Sequence, residues 1–176
     1  GADANAASLN LVSHRGNVLA GLCAQLGVDE ATGEIAGGTD AALARGLDVR
    51  FEGENGAGDG LRREWFEATA GEILDPSRGL FVSKDGNRTL QPSPHSATTA
   101  GADHLSHFAL LGRIAGLALY HREPLNVSLS TAFVKAVLGY TITPADLEAV
   151  DPALGQRIKF VRDSTTDEEL AAADLV

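Results

Sequence analysis

Leu47-Asp48-Val49-Arg50-Phe51-Glu52-Gly53-Glu54-Asn55-Gly56-Ala57-Gly58-Asp59-Gly60-Leu61-Arg62-Arg63-Glu64-Trp65-Phe66 reads as three consecutive pieces. Residues 47–51 alternate apolar and polar side chains, which predicts a half-buried strand. Four glycines from Gly53 to Gly60 predict a tight turn that needs positive φ. Residues 60–74 predict a helix. Leu61, Trp65, Phe66, Ala70 and Ile73 share one side of it, and Arg62, Arg63, Glu64 and Glu67 lie largely on the other. Asp75-Pro76 ends that helix.

The glycines do not make a phosphate loop. Such a loop needs Lys and Ser or Thr directly after its last glycine. Leu61-Arg62-Arg63 follows instead, and Glu52, Glu54 and Asp59 repel phosphate. The acidic spacing also misses the twelve-residue calcium pattern.

Outward from this segment, residues 9–26 predict a helix. Leu11, Val18, Leu19, Leu22, Cys23 and Leu26 recur at near-helical spacing, with Gly27 as its C-cap. Residues 28–46 are rich in Gly, Ala and Asp and predict a flexible surface connection, with one helical turn near 41–44. Residues 80–82 and 88–91 flank Asp85-Gly86-Asn87, which predicts a small hairpin. A loop is expected over 91–101. Asp103 is placed to cap a helix running to about Tyr120. That helix is apolar nearly all round, so burial on every side is expected. Gly112 and Gly116 lie one turn apart and predict a closely approaching neighbour.

A helix over 130–138 stops at Gly139. Thr143-Pro144-Ala145-Asp146 and Asp151-Pro152 open two more, and Thr166 with Glu169 opens a third. The fold class expected is α+β, predominantly helical, with a few short strands.

The net charge of −10 argues against nucleic-acid binding, which needs a basic face. It suits a basic protein partner, and solubility explains it equally well. A single cysteine excludes an internal disulfide and fits a reducing compartment, so an intracellular, cytoplasmic location is expected. No signal peptide or membrane-spanning run is visible. The chain holds no methionine, even at position 1, which predicts a piece of a longer protein.

His104 and His107 have helical metal-ligand spacing, but no third ligand is evident beside them. His95 and His121 lie too far along the chain to join them by spacing. A capping or core-edge role is the simpler reading. Cys23 sits late in an apolar helical stripe, where a thiolate is disfavoured, and reads as structural. Arg63, Glu64 and Arg113 are the polar residues hardest to assign, and a guanidinium on an apolar helix must find a partner. No acid, base and nucleophile set converges, which sets a small-molecule enzyme aside.

The order of these motifs resembles the N-terminal lobe of the HECT-type E3 ubiquitin-protein ligases. Residues 47–54 look like that family's strand into its glycine turn, and Arg63-Glu64-Trp65-Phe66 like its helix. Leu80-Phe81 and Leu90-Gln91-Pro92 look like its hairpin. His104-Leu105, Phe108 and Gly112-Arg113 look like its central helix. Phe133, Lys135, Leu138-Gly139, Asp146-Leu147-Glu148 and Asp151-Pro152 complete the series. A turn one residue shorter than usual, Leu119-Tyr120-His121-Arg122 and Leu125-Asn126 are most similar to the branch that carries ankyrin repeats. The ubiquitin-holding aromatics of the family's hairpin are absent here, where Val82, Ser83 and Arg88 stand.

The resemblance implies that residues 1–176 form a partial HECT domain, the large subdomain of its N-lobe. The E2-binding subdomain and the lobe with the catalytic cysteine are expected outside it. The parent protein would take ubiquitin from an E2 ubiquitin-conjugating enzyme as a cysteine thioester and pass it to substrate lysines. This piece would supply scaffold and docking surface and would be inactive alone. It is expected to carry no catalytic, cofactor-binding or metal-binding residue, and needs no cofactor. The partners implied are the E2 enzyme, ubiquitin and protein substrates, met through the full-length protein, with no nucleic acid and no membrane insertion. The rival expectation is a non-catalytic helical interaction domain descended from such a lobe.

Overall fold

A computed structural model describes residues 8–36, 46–56, 58–83 and 89–163. Helices predominate among them, with four short strands. The chain divides into two units, one formed by residues 1–81 and 93–127, the other by 82–92 and 128–176.

The first unit is built on two parallel strands, β1 (Leu9–Ser13) and β2 (Leu47–Phe51), in the register Leu9↔Leu47 to Ser13↔Phe51. β2 is the strand that alternation predicts. β1 corrects the helix expected over 9–26. Leu11 and Ser13 point inward while Asn10 and Val12 point out, so the period here is two, not 3.6. Only Leu22–Gln25 (α1) is helical. Gly27, at φ 65°, ends α1 as expected. The Gly27 N–H donates to the Ala24 carbonyl (3.3 Å) and the Val28 N–H to the Cys23 carbonyl (2.8 Å), which is a Schellman cap. Val18, Leu19, Leu22, Cys23 and Leu26 are all buried, so their apolar spacing reports a core face without a continuous helix.

α2 (Asp59–Leu74) follows the glycine turn, where Gly53 (φ 80°) and Gly58 (φ 112°) adopt the expected positive φ. Its buried face is Trp65, Phe66, Thr69, Ala70, Ile73 and Leu74. Trp65 sets the depth of the core. It is fully buried, and its indole N–H donates to Ser13 Oγ at 2.9 Å, tying α2 to the end of β1. The Thr69 hydroxyl donates back to the Trp65 carbonyl at 2.7 Å. Asp75-Pro76 ends α2 in a 3-10 turn (Pro76–Arg78), and Asp75 Oδ1 accepts from the Ser77 N–H at 2.8 Å.

The loop expected over 91–101 contains a short helix, α3 (Ser96–Thr99). The longest helix, α4 (His104–His121), runs close to its expected bounds, but three expectations about it are corrected. The Asp103 side chain makes no cap bond, and its carbonyl instead accepts from Ser106 Oγ at 2.7 Å. Burial is one-sided. Ser106, Leu110, Arg113, Ile114, Leu117 and Ala118 face inward, whereas Leu105 is half-exposed and Leu119 is 82% exposed. Gly112 and Gly116 lie on the exposed side, and a Cβ on either meets nothing within 4 Å. The close approach to α4 comes elsewhere. Gly33, at φ 72°, brings its backbone so near that a Cβ would lie 2.8 Å from the Leu105 carbonyl carbon.

In the second unit, Val82 belongs to β3 (Phe81–Val82), which pairs with β4 (Gln91–Pro92). The strands of the expected hairpin are therefore present, and its tip at 85–87 lies outside the described residues. So do the helical turn near 41–44 and the Thr166 cap. The Leu90 N–H donates to the Ser128 carbonyl and the Ser130 N–H to the Leu90 carbonyl, each at 2.8 Å. Three capped helices follow: α5 (Thr131–Val137), α6 (Pro144–Val150) and α7 (Pro152–Asp163). Ser130 Oγ accepts from the Phe133 N–H at 3.2 Å, and Asp151 Oδ1 from the Leu154 N–H at 3.1 Å. Among the described residues no helix is long and apolar enough to cross a membrane.

These glycine environments predict opposite responses to alanine. Gly112→Ala or Gly116→Ala fills open space on a helix and should raise the urea-unfolding free energy by up to about 1 kcal/mol each. Gly33→Ala forces a strained φ and a backbone clash and should lower it by about 1–3 kcal/mol. Destabilisation by Gly112→Ala would mean that α4 has a neighbour there.

Candidate functional site

Cys23 is the one thiol, and it is buried in α1 beside a cavity of about 210 Å³. Glu30, Arg78, Asp103, Ser106 and His107 also line that cavity. The thiol pKa is raised above its ordinary value, first by desolvation and then by the nearby Glu30 carboxylate. A Ser106 hydrogen bond works the other way, and Asp103 adds to the rise. α1 is four residues long, so its dipole contributes little. Burial and acidic neighbours keep this sulfur protonated, the reverse of what a nucleophilic cysteine requires.

The polar centre of the first unit is Arg15, which local spacing does not reveal. Its guanidinium reaches Glu54 in the glycine turn and Glu64 on α2 together. Nη2 donates to Glu54 Oε2 at 2.9 Å and to Glu64 Oε2 at 3.4 Å, and the carbon Cζ lies 4.3 Å from the centre of the Phe51 ring. Four segments therefore meet on one cation: the end of β1, the end of β2, the turn and α2. The pair holds the Glu54 pKa below, and the Arg15 pKa above, their ordinary values. Glu64, singled out in the sequence, is thus a structural partner. Arg63 makes an exposed i,i+4 pair with Glu67 at 3.3 Å. Arg113 is buried on the inner face of α4.

A second tether uses Glu72 on α2. Glu72 Oε2 accepts from the Val18 N–H at 2.8 Å, and the same carboxylate pairs with Arg78. Arg62 bridges Glu123 at 2.9 Å and Asp59 at 3.1 Å.

The histidines do not converge. His104 Nδ1 lies 3.1 Å from Ser96 Oγ, while the His107 Nδ1–H donates to the Asp103 carbonyl at 3.1 Å. This is the core-edge role that the sequence suggests. His95 is exposed. His121 Nε2 is buried without a hydrogen-bond partner, and burial, then Arg62, lowers its pKa. Among the described residues no group of three His, Cys, Asp or Glu side chains is placed to hold a metal ion.

In the second unit the buried Asp146 is the organising charge. Lys135 Nζ donates to Asp146 Oδ1 at 2.6 Å. The Thr143 N–H and hydroxyl donate to Oδ2 at 2.8 and 2.7 Å. The acidic residue of the Thr143-Pro144-Ala145-Asp146 cap thus also joins α5 to α6. Lys135, then Thr143, pulls the Asp146 pKa down to about 2.

Comparison with known proteins gives these sites a context. Residues 67–176 match the HECT-domain (ubiquitin-transferase) family. The chain is similar to the E3 ubiquitin-protein ligase HACE1 of Danio rerio, 35% identical over 130 residues, covering 74% of this chain and 14% of the relative. HACE1 of Xenopus tropicalis is 37% identical over 122 residues, 69% of this chain and 13% of that protein. The E3 ubiquitin-protein ligase RSP5 of Chaetomium thermophilum is 36% identical over 138 residues, 77% and 17% respectively. HACE1 carries ankyrin repeats, the branch to which the turn and the 119–126 segment point. The chain spans less than a fifth of each of these relatives.

Two titrations test the charge clusters. A carboxylate whose pKa is lower folded than unfolded adds stability above its unfolded pKa, and this is lost as pH falls through the folded value. For Asp146 that window runs from the ordinary value of about 3.9 down to about 2. Asp146→Asn should reduce the pH dependence there, other lowered carboxylates such as Glu54 keeping the remainder, and carboxyl NMR should place the wild-type midpoint near the lower end. Arg15→Met should lower the urea midpoint and move the Glu54 titration upward toward the ordinary carboxylate range. An unmoved Glu54 titration would dissolve the Arg15 cluster.

Proposed function

Because the chain belongs to the HECT-domain (ubiquitin-transferase) family, we propose that it is the large subdomain of a HECT N-lobe. Its work in the parent protein is scaffold and docking surface for ubiquitin transfer. The parent takes ubiquitin from an E2 enzyme as a thioester on a cysteine outside this chain. It then passes ubiquitin to the lysine amines of protein substrates. In this reading the protein acts in the cytoplasm.

The observation that carries the reading is the state of Cys23. A thioester acceptor must present a thiolate to a protein-sized donor. Cys23 is 7% exposed, and its acidic surroundings raise its pKa. Its role is core filling in α1. The remaining charges, Arg15 with Glu54 and Glu64, Glu72 with Arg78, and Asp146 with Lys135, hold segments together. That is the work of a frame that keeps a docking surface in shape.

A chimera tests this. Residues 9–163 would replace the matching stretch of the HACE1 ligase of Danio rerio, in an assay with activating enzyme, E2 and labelled ubiquitin. The chimera should keep a reducible ubiquitin adduct. Cys23→Ala should leave that adduct intact, and the chain by itself should form none. An adduct on the chain alone that vanishes in Cys23→Ala would overturn the proposal. So would a folded chimera that forms no adduct.

A further inference from the structure

α6 and α7 meet closely at Gly155, where a Cβ would lie 2.6 Å from the Glu148 Cα. Between the same two helices opens a cavity of about 220 Å³. Pro144, Ala145, Leu147 and Ile158 line its apolar part, and Ile158 remains 40% exposed. Pockets that enclose metabolites or cofactors usually hold about 300–1,000 Å³. This one suits a single aliphatic side chain.

Its lining carries two cations, Lys159 and Arg162, against the one carboxylate of Glu148, in a chain whose net charge is −10. α7 carries Arg157, Lys159 and Arg162 against Asp163 alone, and Lys159 and Arg162 border the cavity. Arg162 Nε donates to Asp163 at 2.9 Å, and Lys159 acts on the same carboxylate at longer range. Glu148 stands among the lining residues and disfavours an all-acidic occupant sitting directly over α6.

We propose that this groove docks an acidic segment of a partner protein, which inserts one aliphatic side chain over Ile158 and sets its carboxylates toward Lys159 and Arg162. Apolar insertion supplies the anchor, and the two cations fix orientation and speed encounter. The site rests on the second unit alone and does not depend on ubiquitin transfer.

The probe is a short acetylated and amidated peptide with one central Leu flanked by Asp and Glu, titrated into isotope-labelled full chain and followed by amide NMR. Shifts should cluster at 144–148 and 155–162, and the affinity should fall as salt rises. Ile158→Asp and the double variant Lys159→Glu/Arg162→Glu should each weaken binding by about tenfold, near 1.4 kcal/mol. Lys159→Gln, an exposed neutral change, keeps the test valid if the others unfold, and should weaken binding less. A matched peptide with Lys in place of the acids should not bind. The proposal falls if the acidic peptide shifts no amide in 144–162, if the Lys peptide binds equally, or if the double variant binds undiminished. It also falls if the groove instead takes up anionic lipid vesicles or a second copy of the chain while ignoring the peptide.

Discussion

The burial of Trp65 is the constraint on which the first unit depends. A tryptophan can go fully inside only if its indole N–H finds an acceptor, because an orphaned donor costs about 1–3 kcal/mol. Ser13 supplies that acceptor, and Ser13 is the last residue of β1, so the depth of α2 and the position of the strand are set together. Arg15 extends the tie by two residues. From just beyond β1 it reaches the turn and α2, and lies over Phe51. Both fastenings begin in a five-residue stretch, 11–15, whose own local signal is weak.

That weakness explains which parts of the fold the sequence discloses. β2, the glycine turn and α2 are legible because each carries a local signature: alternation, required positive φ, and a 3.6-residue apolar stripe. α5 to α7 are legible through their caps. β1 is not, because Leu9, Leu11, Val18, Leu22 and Leu26 satisfy a helical spacing as well as a strand followed by a turn and one helical turn. Only pairing with residues 47–51, thirty-eight positions away in register, decides between them. The one-sided burial of α4 is hidden for a similar reason. An apolar circumference does not say which side meets a neighbour.

The candidate site divides the same way. The burial of Cys23 and the backbone and hydroxyl partners of His107 and His104 are what residue type and setting suggest, and both are present in the structure. Desolvation and acidic neighbours, more than a helix dipole, raise the Cys23 pKa. Arg15 was missed because its partners lie 39 and 49 residues away, and nothing in a window of local sequence joins them. Glu72 was missed similarly, since its bond to the Val18 N–H spans 54 residues. The family resemblance, in contrast, rests on the order of many short motifs, so a misread first element does not disturb it.

Gln25 bears on how the small sheet behaves at its rim. The Val12 N–H donates to Gln25 Oε1 at 2.8 Å, and Gln25 Nε2 donates to the Val12 carbonyl at 2.9 Å. One side-chain amide thus occupies the donor and acceptor that Val12 turns away from β2, as a third strand would. An unpaired edge of this kind is a template on which another extended chain can add, and proteins protect such edges. Among the described residues the protection at Val12 is the Gln25 amide. Its hydrolysis to a carboxylate would exchange the donor for a negative charge facing the Val12 carbonyl. The chain would then keep the N–H half of that cover and lose the carbonyl half, with a charge guarding the edge in place of a matched amide.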